Sequence, residues 1–233
     1  MRTFIASLIA LALLGLPISA VRADTKEGSR LENSGMVLQE IFNVPDDIPQ
    51  DLIDKAECVI VIPSTLKFAF IVGGSYGRGA MSCRTGETFN GPWGAPSMMA
   101  LEGASVGFQL GGNATDFVIL VMNPRGATAL LGSKVKLGAD VSASAGPKGR
   151  AAEASTDVTL RAELLTYSRS RGLFAGISLA GSTLRPDNDA NKRLYGSEIG
   201  AKDIVIEGKA AVPPSAQSML AVLNKRSPKN LSE

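Results

Sequence analysis

A short basic segment in the second half of the chain carries the residues whose types and spacing first suggest chemistry. In TYSRSRG (166–172), Tyr167, Arg169 and Arg171 alternate with other residues, so an extended strand would place all three on one face. The next run, LFAGISLAG (173–181), is apolar or small on both faces. The segment carries no usual catalytic residue, so its use must be judged from the rest of the chain.

The chain contains no histidine. This excludes Ser-His-Asp and Cys-His catalysis, histidine general bases and histidine metal ligands. The acidic residues of the strand region are Glu102, Asp116, Asp140, Glu153, Asp157 and Glu163. No two of them have the spacing of a glycoside hydrolase pair, and we interpret them as structural acids. Two cysteines without histidine also argue against a zinc site. We therefore predict a non-enzymatic protein without a metal or cofactor.

A glycine-rich segment, GGSYGRG (73–79), resembles a phosphate-binding loop. A dinucleotide-binding loop opens a helix, whereas this segment runs into another strand, and no Gly-Lys-Ser/Thr follows it. We interpret it as a hairpin turn, with Arg78 as an outward-pointing anion contact.

The single tryptophan, Trp93, lies in GPWGAPS (91–97), a loop that two prolines restrict. An indole ring in this loop either plugs the end of the core or lies at a membrane or ligand interface. We favour the core position and keep both interpretations.

The N-terminus predicts a secretory signal peptide over residues 1–23. Arg2 precedes an apolar run, 4–18, that is short for a membrane span and is followed by small residues. Of two competing cleavage sites, after Ala20 and after Ala23, we favour the second; an uncleaved anchor is the alternative. We expect an exported protein, periplasmic or secreted and peripheral to a membrane.

Cleavage after Ala23 would also change the charge of the protein. It removes Arg2 and Arg22 and no acidic residue, so the formal net charge falls from +2 to zero. A neutral chain argues against non-specific nucleic-acid binding and against a global attraction to anionic membranes, although local basic patches are compatible with it.

The two cysteines, Cys58 and Cys83, each flank a predicted strand. In an oxidising compartment a cysteine pair is more often bridged than free, which favours a disulfide spanning the first hairpin. Sequence spacing does not report whether the two Cβ atoms approach each other, so the bridged and the free states both stay open.

Apolar periodicity predicts helices near both ends of the domain. Leu31, Leu38 and Phe42 recur at helical spacing and indicate an amphipathic helix whose polar face is not basic. Residues 124–133 suit a turn and one or two helical turns. The predicted helices cover 29–43, 49–56, 189–195 and 215–225.

Strand patterns dominate the middle of the chain. The predicted strands cover 59–63, 67–74, 76–84, 104–112, 116–123, 155–170, 172–181 and 203–208, and residues 136–146 are extended. We expect 104–112 and 116–123 to form an adjacent pair, and 155–170 and 172–181 to form a long hairpin. Glycines inside the last hairpin would let it bend, and Leu173 and Phe174 would be among the side chains that fill the apolar core there.

Together these elements predict an α+β fold that is mainly antiparallel β. We expect a curled sheet, barrel- or sandwich-like, with flanking N- and C-terminal helices. A single domain would cover residues 24–225, with its core at about 30–208, and residues 226–233 would form a flexible tail.

Several unusual motifs, in this order, resemble the SYLF-domain family. They are GRGAMSCR (77–84), GPWGAPS (91–97), GFQLG (107–111), GPKGR (146–150), YSRSRGLFAG (167–176) and NKRLYG (191–196). The resemblance covers about residues 30–208.

The resemblance implies a lipid-binding domain, with anionic phospholipid or phosphoinositide headgroups as ligands. Eukaryotic members that resemble this chain also join actin and endocytic machinery, usually through additional domains and a basic N-terminal amphipathic helix. Here we expect a signal peptide, no appended domain and a first helix with an acidic polar face. We therefore do not expect actin as a partner.

A phosphate headgroup would need arginine or lysine side chains gathered at one place. We expect them where the basic face of 167–171 meets the turn 146–150, at one rim of the barrel beside an apolar mouth. The candidate lipid-binding residues are Arg78, Trp93, Lys148, Arg150, Arg169 and Arg171. The alternatives are that these are ordinary solvated charges, and that the chain is a structural or protein-interaction module of the cell envelope with a flat surface there.

Overall fold

The computed structural model describes residues 26–69, 72–106, 115–149, 161–170 and 173–232. Within these ranges the dominant element is one nine-stranded sheet. Its strands are β1 (Cys58–Ala69), β2 (Val72–Cys83), β3 (Ser97–Val106), β4 (Thr115–Val121), β5 (Val135–Lys136), β6 (Ala143–Ala145), β7 (Leu164–Ser170), β8 (Leu173–Gly176) and β9 (Thr183–Pro186).

The strand order is β5-β9-β3-β2-β1-β4-β7-β6, and β8 also pairs with β7. The β6–β7 pair is parallel, whereas the other described pairs are antiparallel. The first half of β7 pairs with β6 and its second half pairs with β8. The prediction of an α+β fold with a curled, mainly antiparallel sheet and flanking terminal helices is confirmed.

Helices pack against both faces of the sheet. They are α1 (Lys26–Ile41), α2 (Gln50–Asp54), α3 (Pro124–Gly132), α4 (Asn188–Tyr195), α5 (Ala201–Val205) and α6 (Gln217–Arg226), with a 3₁₀ turn at Pro214–Ala216 before α6. The core on one face contains residues of α1, α2, α4 and α6, and the core on the other contains residues of α3 and α5. Among the helices of the described ranges, none combines the length and apolar content needed to cross a bilayer.

The run Val59–Ile62 shows why the sheet is covered on both sides. Val59 and Val61 belong to the core under α1, while Ile60 and Ile62 belong to the core under α3. All four are fully buried. A continuous apolar run is therefore what this strand requires, because successive side chains point to opposite faces and both faces are dry.

Cys58 and Cys83 lie directly opposite each other in the β1–β2 pair, and a disulfide bond joins them. Both cysteines are fully buried. Of the two states that the sequence left open, the structure has the bridged one.

Close approach at the β7–β8 hairpin depends on glycine. A Cβ atom on Gly176 would collide with the backbone of Gly146, and one on Gly146 would collide with the ring of Tyr167. The Tyr167 and Phe174 rings stack beside them, with centroids 5.4 Å apart. Phe174 is buried as expected, but Leu173 is 78% exposed and does not fill the core.

The segment 73–79, which the sequence suggested is a hairpin turn, lies inside β2, and strand pairing also differs from the expectation. Residues 104–112 and 116–123 were expected to pair with each other, yet β3 pairs with β2 and β9, and β4 pairs with β1 and β7. The β1–β2 hairpin therefore lies between β3 and β4. Neighbouring strands in a sequence need not pair when a longer connection links them.

The predicted strand at 203–208 is wrong, because residues 201–205 form α5. Ala201, Ile204 and Val205 are buried at helical spacing, and α5 packs against α3 and β3. This packing outweighs the β propensity of isoleucine and valine. The sequence also missed β9, a four-residue strand between β5 and β3 that ends at Pro186, a residue that is rare inside sheets.

The C-terminal residues pack against the domain, whereas the sequence predicted a flexible tail from residue 226. Ser227 is fully buried. The Asn230 Nδ2 donates to Glu57 Oε2 at 2.7 Å, and Leu231 N donates to Asp54 O at 2.8 Å. These hydrogen bonds hold residues 227–232 beside Asp54 and Glu57, which precede β1. The predicted flexible tail is therefore wrong for these residues, because protein groups replace water as their hydrogen-bond partners.

Candidate anion-binding site

Arg169, the central residue of the expected basic rim, forms ion pairs with two carboxylates. Its Nε and Nη2 atoms lie 3.0 and 2.7 Å from Asp116 Oδ2, and Nη1 forms an ion pair with Glu40 of α1. Burial lowers the pKa of the Arg169 guanidinium. These contacts tie β7 to β4 and to α1, so Arg169 serves the fold and is not free to hold a phosphate.

The turn that contains Lys148 does reach the β7–β8 hairpin, as expected. The Tyr167 hydroxyl donates to Pro147 O at 3.1 Å, and Lys148 Nζ donates to Phe174 O at 3.3 Å. Lys148 is exposed. Arg150 and Arg171, also predicted for this rim, lie outside the described residues.

Trp93 does not face a membrane or a ligand. It is 4% exposed, its Nε1 donates to Ser227 O at 2.9 Å, and the Arg84 guanidinium lies 4.3 Å from the ring centroid. The core-plug interpretation therefore describes its position, and its place among the lipid-binding candidates is corrected. Sequence reasoning gave no role to Arg84, although it closes the GRGAMSCR motif.

The family motif around Asn191 is also architectural. Asn191 Oδ1 accepts from Met98 N at 2.7 Å, and the Tyr195 hydroxyl donates to Pro96 O at 2.6 Å. Gly196 ends α4 in the left-handed region, with a φ of 75°. The motif thus docks α4 onto the start of β3.

Arg78 lies elsewhere, in a cluster that the sequence did not predict. Its Nε forms an ion pair with Asp187 Oδ2 at 3.0 Å and donates to the Tyr76 hydroxyl at 2.5 Å. Arg78 borders an open cavity of about 540 Å³, together with Lys26, Glu27 and Arg193. We call this the basic cavity.

Three separate elements position the side chains of the basic cavity. α1 supplies Lys26 and Glu27, β2 supplies Arg78, and α4 supplies Arg193. Asp187, which holds Arg78, also caps α4 by accepting from Ala190 N at 3.2 Å. The side chains of Arg78 and Arg193 remain 31% and 48% exposed, so a ligand can reach them.

Glu27 is the buried anion of the cavity. It is 3% exposed, and its Oε1 lies 2.9 Å from both Nε and Nη2 of Arg193 and 3.4 Å from Nη1 of Arg30. Burial acts to raise the pKa of this carboxyl, but the hydrogen bond and charge of Arg193 and the charge of Arg30 lower it below the usual value. Glu27 is therefore ionised at neutral pH.

The charges of the basic cavity do not cancel. Lys26, Arg78 and Arg193 carry three positive charges and Glu27 carries one negative charge, which leaves an excess of two positive charges. Arg30 pairs with Glu27 and Asp187 pairs with Arg78, and the charges of Arg30 and Asp187 offset each other. An open, positively charged concavity with guanidinium groups can hold a phosphate or carboxylate. Among the described residues, no cluster of acids and cysteines has the arrangement of a metal site.

The chain also shows sequence similarity to known proteins. A family model described as "Ysc84: Las17-binding protein actin regulator" matches residues 102–226. Protein YSC84 of Saccharomyces cerevisiae is 31% identical over 210 residues, which cover 89% of this chain and 44% of that protein. The human SH3 domain-containing YSC84-like protein 1 is 33% identical over 203 residues, which cover 84% of this chain and 58% of that protein.

The chain belongs to the Ysc84 family. This confirms the SYLF resemblance that the sequence motifs suggested. LAS seventeen-binding protein 3 of Saccharomyces cerevisiae is a further relative, 33% identical over 89% of this chain and 45% of its own length. The chain thus spans about half the length of the curated relatives that it matches. The family model is described as an actin regulator that binds Las17, and LAS seventeen-binding protein 3 is named for binding.

Proposed function

We propose that this Ysc84-family domain binds anionic phospholipid headgroups at a membrane surface through the basic cavity. The observation that carries the proposal is the excess of two positive charges in an open cavity whose guanidinium groups come from β2 and α4. Membership of the Ysc84 family, whose SYLF resemblance implies lipid binding, supports it. The site differs from the rim expected from the sequence, because Arg169 is already bound to Asp116 and Glu40.

The proposal includes export of the chain and action without chemical turnover. The apolar run at 4–18 and the disulfide between Cys58 and Cys83 support export to an oxidising compartment. The absence of histidine from the chain supports a binding role. We expect a periplasmic or secreted protein at the periphery of a membrane.

Vesicle flotation tests the proposal directly. The purified chain, with its N-terminus established by mass spectrometry, is mixed with vesicles of increasing phosphatidylglycerol or phosphatidic acid content at low and high salt. The test variant is Lys26→Ala/Arg193→Ala, because both side chains border the cavity and are exposed at the protein surface. The matched control is Lys202→Ala/Lys225→Ala, which removes the same charge from exposed positions of α5 and α6.

We expect salt-sensitive flotation of the native chain and of the control, and a loss of about tenfold or more in affinity for the cavity variant. Equal losses in both double variants would show that only overall charge matters and would refute the assignment to the cavity. No flotation at any lipid composition would refute lipid binding itself.

A protein-interaction module is the alternative function. The family model is described as a Las17-binding actin regulator, and a relative is named for binding LAS seventeen. For this chain we do not propose actin as a partner, because the chain covers about half of those relatives and export would separate it from actin. Failure of flotation would make a protein partner in the cell envelope the next candidate.

A further inference from the structure

Buried carboxylates hold the arginines of the basic cavity in fixed orientations. Glu27 binds Arg193 through Nε and Nη2. Asp187 Oδ2 forms an ion pair with Arg78 at 3.0 Å from Nε, while the Nε–H group itself donates to the Tyr76 hydroxyl. Both carboxylate side chains are only 4% exposed. A guanidinium held at its inner edge presents its remaining N–H groups in a defined direction, as a pre-organised fork for oxygen atoms.

The contacts of both arginines leave specific donors for a ligand. Among the described residues, the ion pair and hydrogen bond of Arg78 both use Nε, and those of Arg193 use Nε and Nη2. No hydrogen bond among the described residues uses the Nη groups of Arg78 or the Nη1 group of Arg193, so these donors remain for a ligand of the basic cavity. Lys26 adds a compact positive charge on a flexible side chain at the same cavity.

The charge and the number of donors fit one class of phosphate better than another. A phosphate monoester carries about −1.5 to −2 charges near neutral pH and three terminal oxygens. A phosphate diester, such as the headgroup linkage of phosphatidylglycerol, carries a single charge and two free oxygens. The excess of two positive charges at the basic cavity matches the monoester.

We propose that Glu27 is a positioning residue that makes the basic cavity select phosphate monoesters over phosphate diesters. This inference rests on the proposed function, because it concerns the same cavity and the same kind of ligand. Glu27 does not contact the phosphate. It orients the Arg193 fork, and it removes one positive charge that would otherwise attract every anion.

The test compares two substitutions that separate orientation from charge. Glu27→Gln keeps the side-chain shape but raises the net charge of the cavity from +2 to +3. Arg193→Lys keeps the charge but removes the fork. If simple attraction governs binding, Glu27→Gln strengthens binding to all anionic vesicles and Arg193→Lys changes little.

The probes are vesicles that contain phosphatidic acid, a monoester, or phosphatidylglycerol, a diester, matched for surface charge by zeta potential. For the native chain we expect at least about tenfold tighter binding to phosphatidic acid. In both variants we expect the preference to fall toward unity, with phosphatidylglycerol binding retained in Glu27→Gln. Thermal unfolding of each variant checks that the fold persists.

Glycerol 3-phosphate distinguishes a free monoester from a lipid headgroup. We expect it to displace the native chain from phosphatidic acid vesicles and not to displace Glu27→Gln from phosphatidylglycerol vesicles. A preference for phosphatidic acid that glycerol 3-phosphate cannot compete would come from the bilayer and would overturn the monoester assignment.

The outcomes separate this inference from the proposed function. The native chain could bind both charge-matched vesicles equally, and Lys26→Ala/Arg193→Ala could lose that binding. This result would overturn the monoester selectivity but would keep lipid binding at the cavity. A native preference that survives in both Glu27→Gln and Arg193→Lys would overturn the positioning role of Glu27. No binding to either vesicle would overturn the proposed function and the inference with it.

Discussion

The guanidinium of Arg84 stacks over the indole ring of Trp93 at 4.3 Å, and both side chains donate to the carbonyl oxygen of Ser227. Arg84 also donates to Ser227 Oγ at 2.5 Å and to Lys229 O at 2.8 Å. The strand end next to the disulfide therefore holds the C-terminal residues by a fully buried cation. This explains why two residues of the family motifs, one basic and one aromatic, are not at the surface.

Arg84→Ala should destabilise the domain strongly. The substitution removes the donor to Ser227 Oγ and Lys229 O, and it removes the nearby positive charge that acts on the buried Glu57 carboxylate. We expect a loss of about 3 to 5 kcal/mol in the free energy of unfolding, measured by urea denaturation.

Lys192→Ala is the matched control, because the Lys192 side chain is 56% exposed and its partner Glu198 is 83% exposed. Its effect should stay within about 0.5 kcal/mol. Similar losses in both variants would mean that the buried contacts of Arg84 add nothing beyond those of a surface cation.

Glu57 should make the unfolding free energy depend on pH. Burial raises the pKa of its carboxyl, although hydrogen bonds from Ser232 and Asn230 and the charge of Arg84 act to lower it. A raised pKa means that the folded state binds the proton more tightly than the unfolded state does. This contribution to stability is present below the ordinary value of 4.5 and is lost as the pH rises through the raised pKa.

We therefore expect the native chain to lose stability relative to Glu57→Gln as the pH rises from about 4 toward neutrality. Urea denaturation of both proteins at several pH values gives the difference, in which the other titrating groups cancel. A difference that grows in the opposite direction would show that the hydrogen bonds and Arg84 outweigh burial.

Arg169→Ala should lower stability without weakening vesicle binding. Removal of the guanidinium leaves Asp116, whose side chain is only 14% exposed, with Ser64 N as its remaining hydrogen-bond donor among the described contacts. We expect a loss of about 1 to 3 kcal/mol in the free energy of unfolding. Flotation of the folded variant with phosphatidylglycerol vesicles should equal that of the native chain.

Glu40→Ala separates the two ion pairs of Arg169. Glu40 is 56% exposed, so its removal should cost less than about 1 kcal/mol. If Arg169→Ala abolished flotation but was no less stable than Glu40→Ala, the lost binding could not come from unfolding. The rim around Arg169 that the sequence predicted would then be the binding site.

The strands that the sequence predicted well are those whose patterning is local. The run Val59–Ile62 and the segment 117–121 are apolar and rich in β-branched residues, and both form central strands with two buried faces. The segment 203–208 has the same β-branched character, but its neighbours α3 and β3 select a helix there. Local propensity cannot contain that information, since it arises only when the chain is folded.

The candidate site was harder to predict for a related reason. Arg169 and Arg171 are close in sequence and form a visible basic pattern, whereas Lys26, Arg78 and Arg193 are far apart in sequence. In the structure, Arg169 pairs with Asp116, whereas Lys26, Arg78 and Arg193 meet around one cavity. The sequence feature that could have indicated this site is the Asn191 motif. Asn191 docks α4 on β3 and so positions Arg193.

Gly176→Ala should destabilise the β7–β8 hairpin through a direct clash. The added Cβ would collide with the backbone of Gly146, which cannot move without disturbing the stacked ring of Tyr167. We expect a loss of about 2 to 3 kcal/mol in the free energy of unfolding, as for an overpacked core. Gly132→Ala, in α3, is the matched control: nothing lies within 4 Å of its Cβ, and its φ is outside the left-handed region. It should be neutral or stabilising by up to about 1 kcal/mol, and a Gly176→Ala protein as stable as this control would show that the turn at 146–149 yields to the extra methyl group without cost.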